Sequence, residues 1–421
     1  MSNVGNPPLV RMWGMIRSYE PKDLEHCLRI LREVGWMEGK DTDKEVFEKY
    51  VSDTKPLVTE LKNEVEVLVL TRTGQVLYQN NDLPMCAVTG VLTSRVARMR
   101  GHALKTTALA IANSALCGST VTFLGIFDQG YYDKLGYGSL SYKRITTIDP
   151  ASLKVPKLTR APIRLTKDDA QAIHDCRRNR KRVHGACNLD GAGSTGCELV
   201  WVENSFGLGF KNDDGKLTHF IWLKAKGEHG PYHCCAYAWQ TSEQLVELLS
   251  VLKSLSDQVH GIRMSDPIDF QLQDFIDRPF GSIRSRKGGD FAIETSSNAW
   301  NQCRILDVQE CLGAMKFQGE PVSFQLELSD PIEQYLPNDC SWRGTSGNWV
   351  VTLGENSLAI EGNDKSLPKL SCSINDLSRL WMGAANAYAL ATVGDLKATP
   401  ELISKIDSVI KLPAPFDDWD F

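Results

Sequence analysis

At 421 residues with 42% hydrophobic content, the chain can bury a large core, and at about 100–200 residues per domain it holds two to four domains, with three the best fit. Its 47 Lys and Arg against 52 Asp and Glu give a formal net charge of −5, which excludes nucleic acid or an anionic membrane as a non-specific partner, since both need a basic face. A small cationic partner suits that charge better. The opening MSNVGNPPLVRMWG has no apolar core of signal-peptide length, and no later run approaches ~18 uncharged apolar residues, so the expectation is a soluble, cytoplasmic protein. The twelve cysteines are scattered through expected strands and helices, including the apolar settings of Cys86 and Cys117, which predicts reduced, mostly buried thiols.

In chain order, Met15-Ile16-Arg17 predicts a short strand leading into a helix with Pro21 in its first turn. Leu24, Leu28, Leu31 and Val34 give that helix its buried stripe, and Gly35 ends it. The charged stretch 39–62 predicts a second helix with loops. Residues 65–70 and 75–78 read as a hairpin turning at Thr73-Gly74.

The stretch 85–93 is apolar and β-capable, and predicts a buried strand. A polar loop follows, and Arg98-Met99-Arg100-Gly101-His102-Ala103 fits R-x-x-G-x-A. Small residues there let the backbone approach a diphosphate while a newly started helix aims unpaired N–H groups at it, and arginines supply counter-charge. Leu104, Ala108, Ile111 and Ala115 recur at helical spacing, and Gly118 closes the helix. Residues 121–127 predict a second buried strand, and the following Tyr132-Asp133-Lys134-Leu135-Gly136-Tyr137-Gly138 places phenols at its carboxyl end. This is a β-loop-α-β unit built for an anion.

A proline- and lysine-containing connector at 150–162 marks a boundary. Ile163-Arg164-Leu165 followed by Thr166-Lys167-Asp168-Asp169 repeats the opening of the first segment, a cue for a second copy of one fold. A hairpin is expected across Asp214-Gly215, then a strand at 233–239 and a helix capped by Thr241-x-x-Gln244. The middle segment has no complete Q/R-x-x-G-x-G/A after a strand, so it is not expected to bind the same ligand as the first. From residue 301 a strand and helix, strands at 322–328, 349–353 and 367–372, and helices capped at Ser373 and Thr399-Pro400 are expected.

The β-loop-α-β unit with its Y-x-x-x-G-Y-G turn resembles the acyl-CoA site of the GCN5-related N-acetyltransferase superfamily. With Cys303-Arg304-Ile305-Leu306-Asp307-Val308-Gln309, Ile374-Asn375-Asp376-Leu377-Ser378-Arg379-Leu380-Trp381-Met382-Gly383 and the final Phe421, nearly the whole chain resembles the Eis-type (enhanced intracellular survival) N-acetyltransferases. The fold class this implies is α/β (α+β): tandem acetyltransferase folds, each a mixed sheet flanked by helices, then a sterol-carrier-protein-like α+β domain. The expected divisions are 1–155, 156–300 and 301–421.

The resemblance implies acetyl-CoA as co-substrate, bound by Arg98, Met99, Arg100, Gly101, His102 and Ala103, with backbone amides near Val91, Leu92 and Thr93 on the pantetheine arm and oxyanion. His102 and Ala103 depart from the expected aliphatic residue and final glycine. Tyr132 becomes the general acid for the leaving thiolate, and the α-carboxylate of Phe421 the base, by direct attack of a primary amine and without a metal. Polyamines, aminoglycosides and lysine ε-amines are the implied acceptors, and a homo-hexamer the implied assembly. The competing reading is a non-catalytic lipid or acyl-CoA binder that uses the sterol-carrier-like domain.

Two other features invite chemistry. His229-Gly230-Pro231-Tyr232-His233-Cys234-Cys235 is dense in donor atoms but has no second Cys/His pair at zinc-finger spacing, so no metal is expected. The basic run Arg177-Arg178-Asn179-Arg180-Lys181-Arg182 reads as a solvated helix end beside the macrodipole, with a subunit interface as the alternative.

Overall fold

A computed structural model describes residues 15–419 apart from 41, 127, 286 and 417. In the first segment the elements are β1 (Met15–Ser18), α1 (Leu24–Glu33), α2 (Asp43–Ser52), β2 (Lys55–Leu61), β3 (Glu64–Tyr78), β4 (Asn81–Thr93), α3 (His102–Leu116), β5 (Val121–Gly125), α4 (Gln129–Tyr132), β6 (Gly138–Ser139) and β7 (Lys143–Ile148). The β3 sequence is apolar on both faces because both are covered. Leu68 and Leu70 share a core with Leu28, Leu31 and Phe47 of α1 and α2, while Val67 and Val69 pack with Ala108 and Ile111 of α3.

The expected hairpin at Thr73-Gly74 is instead one unbroken 15-residue strand, β3, which turns back into β4 after Tyr78. Gly74 serves a close approach and not a turn. A Cβ there would lie 2.2 Å from the Asn188 carbonyl oxygen of β9 (Cys187–Leu189), which pairs with Gly74, Gln75 and Val76. The charged stretch 39–62 yields α2 and also β2, whose exposed Lys55 disguised a half-buried strand. Cys117 is exposed, unlike most of the thiols, because α3 ends at Leu116 and leaves it at the helix's solvent end.

The second segment runs β8 (Ile163–Leu165), α5 (Ala170–Arg178), β9, α6 (Gly193–Trp201), β10 (Ser205–Lys211), β11 (Leu217–Lys224), β12 (Tyr232–Ala238), α7 (Ser242–Ser254), β13 (Ile262–Ser265), α8 (Pro279–Ser285) and β14 (Thr295–Asn298). The third has β15 (Asn301–Ile305), α9 (Val308–Gly313), β16 (Val322–Ser329), β17 (Gly347–Leu353), β18 (Leu358–Glu361), β19 (Lys369–Ser373), α10 (Ile374–Trp381), α11 (Ala387–Val393) and α12 (Pro400–Val409). Short β18 and α11 had no counterpart in the sequence pattern. No helix among the described residues is long and apolar enough to cross a membrane.

Strands from different segments share sheets. The first sheet has the order β1-β2-β3-β4-β5-β15-β6, with β9 also on β3, and the second β14-β7-β13-β12-β11-β10-β8. The two are built alike, and each takes its next-to-last strand from the other's neighbourhood. β7 directly follows β6 in the chain but pairs with β13 and β14, while β15 directly follows β14 but pairs with β5 and β6. The two sheets have exchanged strands.

The third sheet, β18-β17-β16-β19, carries α9 to α12. Its core is continuous with the first sheet's: Val76, Val121, Phe123, Cys303, Leu326, Trp381 and Ile406 belong to one buried cluster. Tyr78 stacks on Trp381 at 4.4 Å and donates its hydroxyl to the Trp381 carbonyl at 2.9 Å, which fixes β3 against α10.

Candidate active site

The cleft starts where two parallel strands part. β4 and β5 pair only from Met85 with Val121 to Val88 with Leu124, yet β4 runs on to Thr93. The β3–β4 register slips between Leu70 and Thr71, leaving Thr89 as the extra residue on β4. Such a bulge bends the strand and widens the parting. Beyond it β4 is bonded to β3 on one side and faces the gap on the other. Adjacent strand N–H groups point to opposite sides, so of Val91, Leu92 and Thr93 either the outer two or the middle one faces the cleft.

At the end of β4 the loop is tied down at its start. The Ser94 N–H donates to the Glu66 carbonyl (2.9 Å), the Arg95 N–H to Glu33 Oε2 (2.7 Å) and the Ala97 N–H to the Ser94 carbonyl (3.2 Å). Met99 and Gly101 both adopt left-handed backbone, φ 59° and 78°, and Gly101 is the N-cap of α3. A Cβ on Gly101 would meet nothing within 4 Å, so the space beside it is open.

No side chain caps α3. Its first hydrogen bond runs from the Lys105 N–H to the Gly101 carbonyl at 3.2 Å, which leaves the N–H groups of His102, Ala103 and Leu104 directed out of the helix end. Arg98 and Arg100 are exposed beside them and form no ion pair with a described residue. Burial, then Lys105 and Arg100, hold the His102 imidazole below its usual pKa, so at neutral pH it can donate one N–H but carries no charge. An uncapped helix end with flanking guanidiniums is an anion site by construction.

Tyr132 ends α4 and is buried in the same cluster as Val88 and Leu124, the last pair before the strands part, with Val91 and Ala103 at its margin. The structure therefore brings together Tyr132, the β4 end and the start of α3. Tyr131 lies edge-on at 4.9 Å and Tyr137 at 6.1 Å, and Tyr137 shares a 3.0 Å hydrogen bond with Thr122. Burial, with Tyr131 adding, raises the Tyr132 phenol well above its ordinary value. It is protonated at neutral pH, the form a proton donor needs.

The glycines of the aromatic turn admit the third segment. Gly136, at φ 84°, would place a Cβ 2.5 Å from an Arg304 guanidinium nitrogen, and one on Gly138 would sit 2.3 Å from the Asn375 carbonyl. Arg304 donates to the Leu135 carbonyl and forms a fully buried pair with Asp330. Asn375 donates to the carbonyls of Asp133 (3.0 Å) and Tyr137 (2.7 Å), Gln302 to Asp133 (2.9 Å), and Arg379 to the Ser139 carbonyl (3.2 Å). These residues hold the turn that follows Tyr132. Arg304, Asn375 and Arg379 stood in strings that carried the family resemblance, Gln302 and Asp330 did not, and no spacing rule showed that any of them would meet the turn.

The basic run is not a solvated helix end. Arg180 is buried and forms a bidentate pair with Asp418, Arg182 pairs with Asp82 at 2.7 Å and Lys181 with Asp269 at 2.6 Å. Its charges were paired by residues far away in the sequence. Trp419 is fully buried beneath Arg177, whose guanidinium lies 4.0 Å from the ring centroid. Phe421, the expected base, lies outside the described residues. Among the described residues no group of three His, Cys, Asp or Glu could hold a metal ion.

Residues 308–416 match the sterol carrier protein domain family. No curated protein sequence matches the chain. Solved structures share its whole architecture, among them three aligned over 97% of this chain. A conserved protein of unknown function from Enterococcus faecalis V583 is 17% identical over 99% of its own length (TM-score 0.75). A GCN5-related N-acetyltransferase from Anabaena variabilis is 12% identical over 100% (0.76), and Eis1 from Mycobacterium abscessus 13% over 100% (0.74). The fold is thus that of the GCN5-related N-acetyltransferases. With the sterol-carrier-like segment after it, the arrangement is Eis-like.

Proposed function

We propose that the chain is an acetyl-CoA-dependent N-acetyltransferase that transfers acetyl to a primary amine by direct attack. One observation carries this reading: an uncapped α3 terminus behind left-handed Gly101 opens beside parted strands, with a buried, protonated tyrosine where they part. The diphosphate would lie against the N–H groups after Gly101 with Arg98 and Arg100 as counter-charges, and the pantetheine arm would add along β4 between the strands. Amine attack on the thioester carbon expels the thiolate, which takes the Tyr132 proton, while the attacking nitrogen gives its own to the base. The Phe421 carboxylate is proposed for that base. The anchoring of the tail through Asp418 and Trp419 supports it, because a proton acceptor must be held to within hydrogen-bond reach.

Thiol release from acetyl-CoA over a panel of polyamines, aminoglycosides and lysine peptides tests the reading, and turnover with at least one amine is expected. Deleting Phe421 should abolish that turnover while acetyl-CoA still binds by calorimetry. Full activity without Phe421 would move the base elsewhere.

A further inference from the structure

The second sheet contains the same parting of strands as the first, but it is occupied. β12 and β13 pair only through Tyr232 with Ile262 and His233 with Arg263, after which β12 continues to Ala238. The chain's own tail lies along that opening. Phe416 packs against the second segment's core and donates its N–H to the His184 carbonyl at 2.9 Å. Gly185, at φ 91°, makes room: a Cβ there would be 2.8 Å from the Phe416 nitrogen. What remains between β12 and the tail is a cavity of about 60 Å³, space for a few waters.

The receiving groups are fixed by bonds of their own. Besides Asp418, the Arg180 guanidinium donates to the carbonyls of Arg177 (2.6 Å) and Cys187 (2.7 Å) and to Asn188 Oδ1 (2.7 Å), so its fork is oriented by the scaffold. Trp419 has Arg177 over its face and His174 edge-on at 5.7 Å, and His174 is itself bonded to Thr195 at 3.1 Å. An aromatic, an acidic and a second aromatic side chain are each met by a matching surface.

We propose that the parted strands of the second sheet, together with α5 and the segment from Arg180 to Asn188 beside them, form a peptide-binding site, whose ligand is an acidic, aromatic peptide of the Phe416-x-Asp418-Trp419 type supplied by this chain's tail. The site fixes where the last residues of the tail begin, whatever chemistry they perform. This does not rest on the proposed acetyl transfer, and its test needs no turnover.

In the full chain, the Phe416 amide should exchange slowly with deuterium. Asp418→Lys or Trp419→Ala should speed that exchange by about 10-fold or more, while Asp418→Glu should leave it slow. A labelled peptide of residues 413–421 should then bind the full-length Trp419→Ala chain. It should bind the wild type at least about 10-fold more weakly, because the tethered tail competes at high effective concentration. Unchanged exchange in both disruptive variants overturns the proposal, as does faster exchange without peptide binding, or equal peptide binding by both chains.

Discussion

The first and second sheets have one plan and opposite helix ends. In the first, eight residues, 94–101, separate β4 from α3, and the helix begins at a glycine with no side-chain cap. In the second, only 239–241 separate β12 from α7, and Thr241 and Gln244 cap each other's backbone N–H groups. One helix satisfies its own donors and the other leaves them without a side-chain cap. The parted strands differ in the same sense: the second pair is filled by Phe416 and its neighbours. A duplicated fold thus separates into a part that can bind a free anion and a part that binds its own chain.

The largest effect should come from the exchanged strands. Arg304 on β15 and Asp330 are both fully buried, whereas the pair made by the other exchanged strand, Arg144 of β7 with Asp266, leaves the arginine half exposed. Arg304→Met should cost about 3–5 kcal/mol in chemical denaturation by stranding a buried carboxylate, and Arg144→Met no more than about 1 kcal/mol. Equal costs would break the distinction. Next, Gly101→Asp should weaken acetyl-CoA binding by about 10²-fold or more, since it sets a carboxylate against the diphosphate in the open space beside the α3 terminus. Calorimetry measures it.

Tyr132→Phe should lower kcat by about 10²-fold with little change in cofactor affinity, while Tyr237→Phe, half-buried along the second sheet's filled opening, should not touch kcat. The pH profile sharpens this. The proposed acid step needs Tyr132 protonated and burial raises its pKa, so a loss of rate from its ionisation should begin only above the ordinary tyrosine range of about 10.

A smaller effect belongs to the tail pocket. Burial, with Arg177 and Arg178 adding, pushes His174 down to about 4. The unfolded chain takes up this proton below about 6.5 and the folded chain only near 4, so stability should fall as pH drops through that window. His174→Asn should flatten the slope of the denaturation midpoint against pH by less than one proton. Smallest of all, Thr241→Ala should cost about 1 kcal/mol and leave acetyl-CoA binding unchanged, because that helix end already spends its N–H groups on its own cap.

Much of this was legible in the residues. The strand, loop and helix from Met85 to Leu116 and the caps at Thr241, Ser373 and Thr399 stand where the sequence puts them. Gly74 was misread because a glycine that admits a distant carbonyl has the same local signature as one that turns a hairpin. The basic run was misread because its partners, Asp418 and Asp82, lie 238 and 100 residues away.

By itself, the sequence determined what depends on neighbours along the chain: period, caps, and the small residues that let α3 start bare. Caps and amphipathic faces act over three or four residues, so a short window contains both partners. Only the tertiary structure decided which sheet receives each closing strand, why Gly136 and Gly138 must be small, and which opening the tail fills. Those outcomes depend on contacts such as Gln302 with Asp133, 169 residues apart, whose partners no local pattern names.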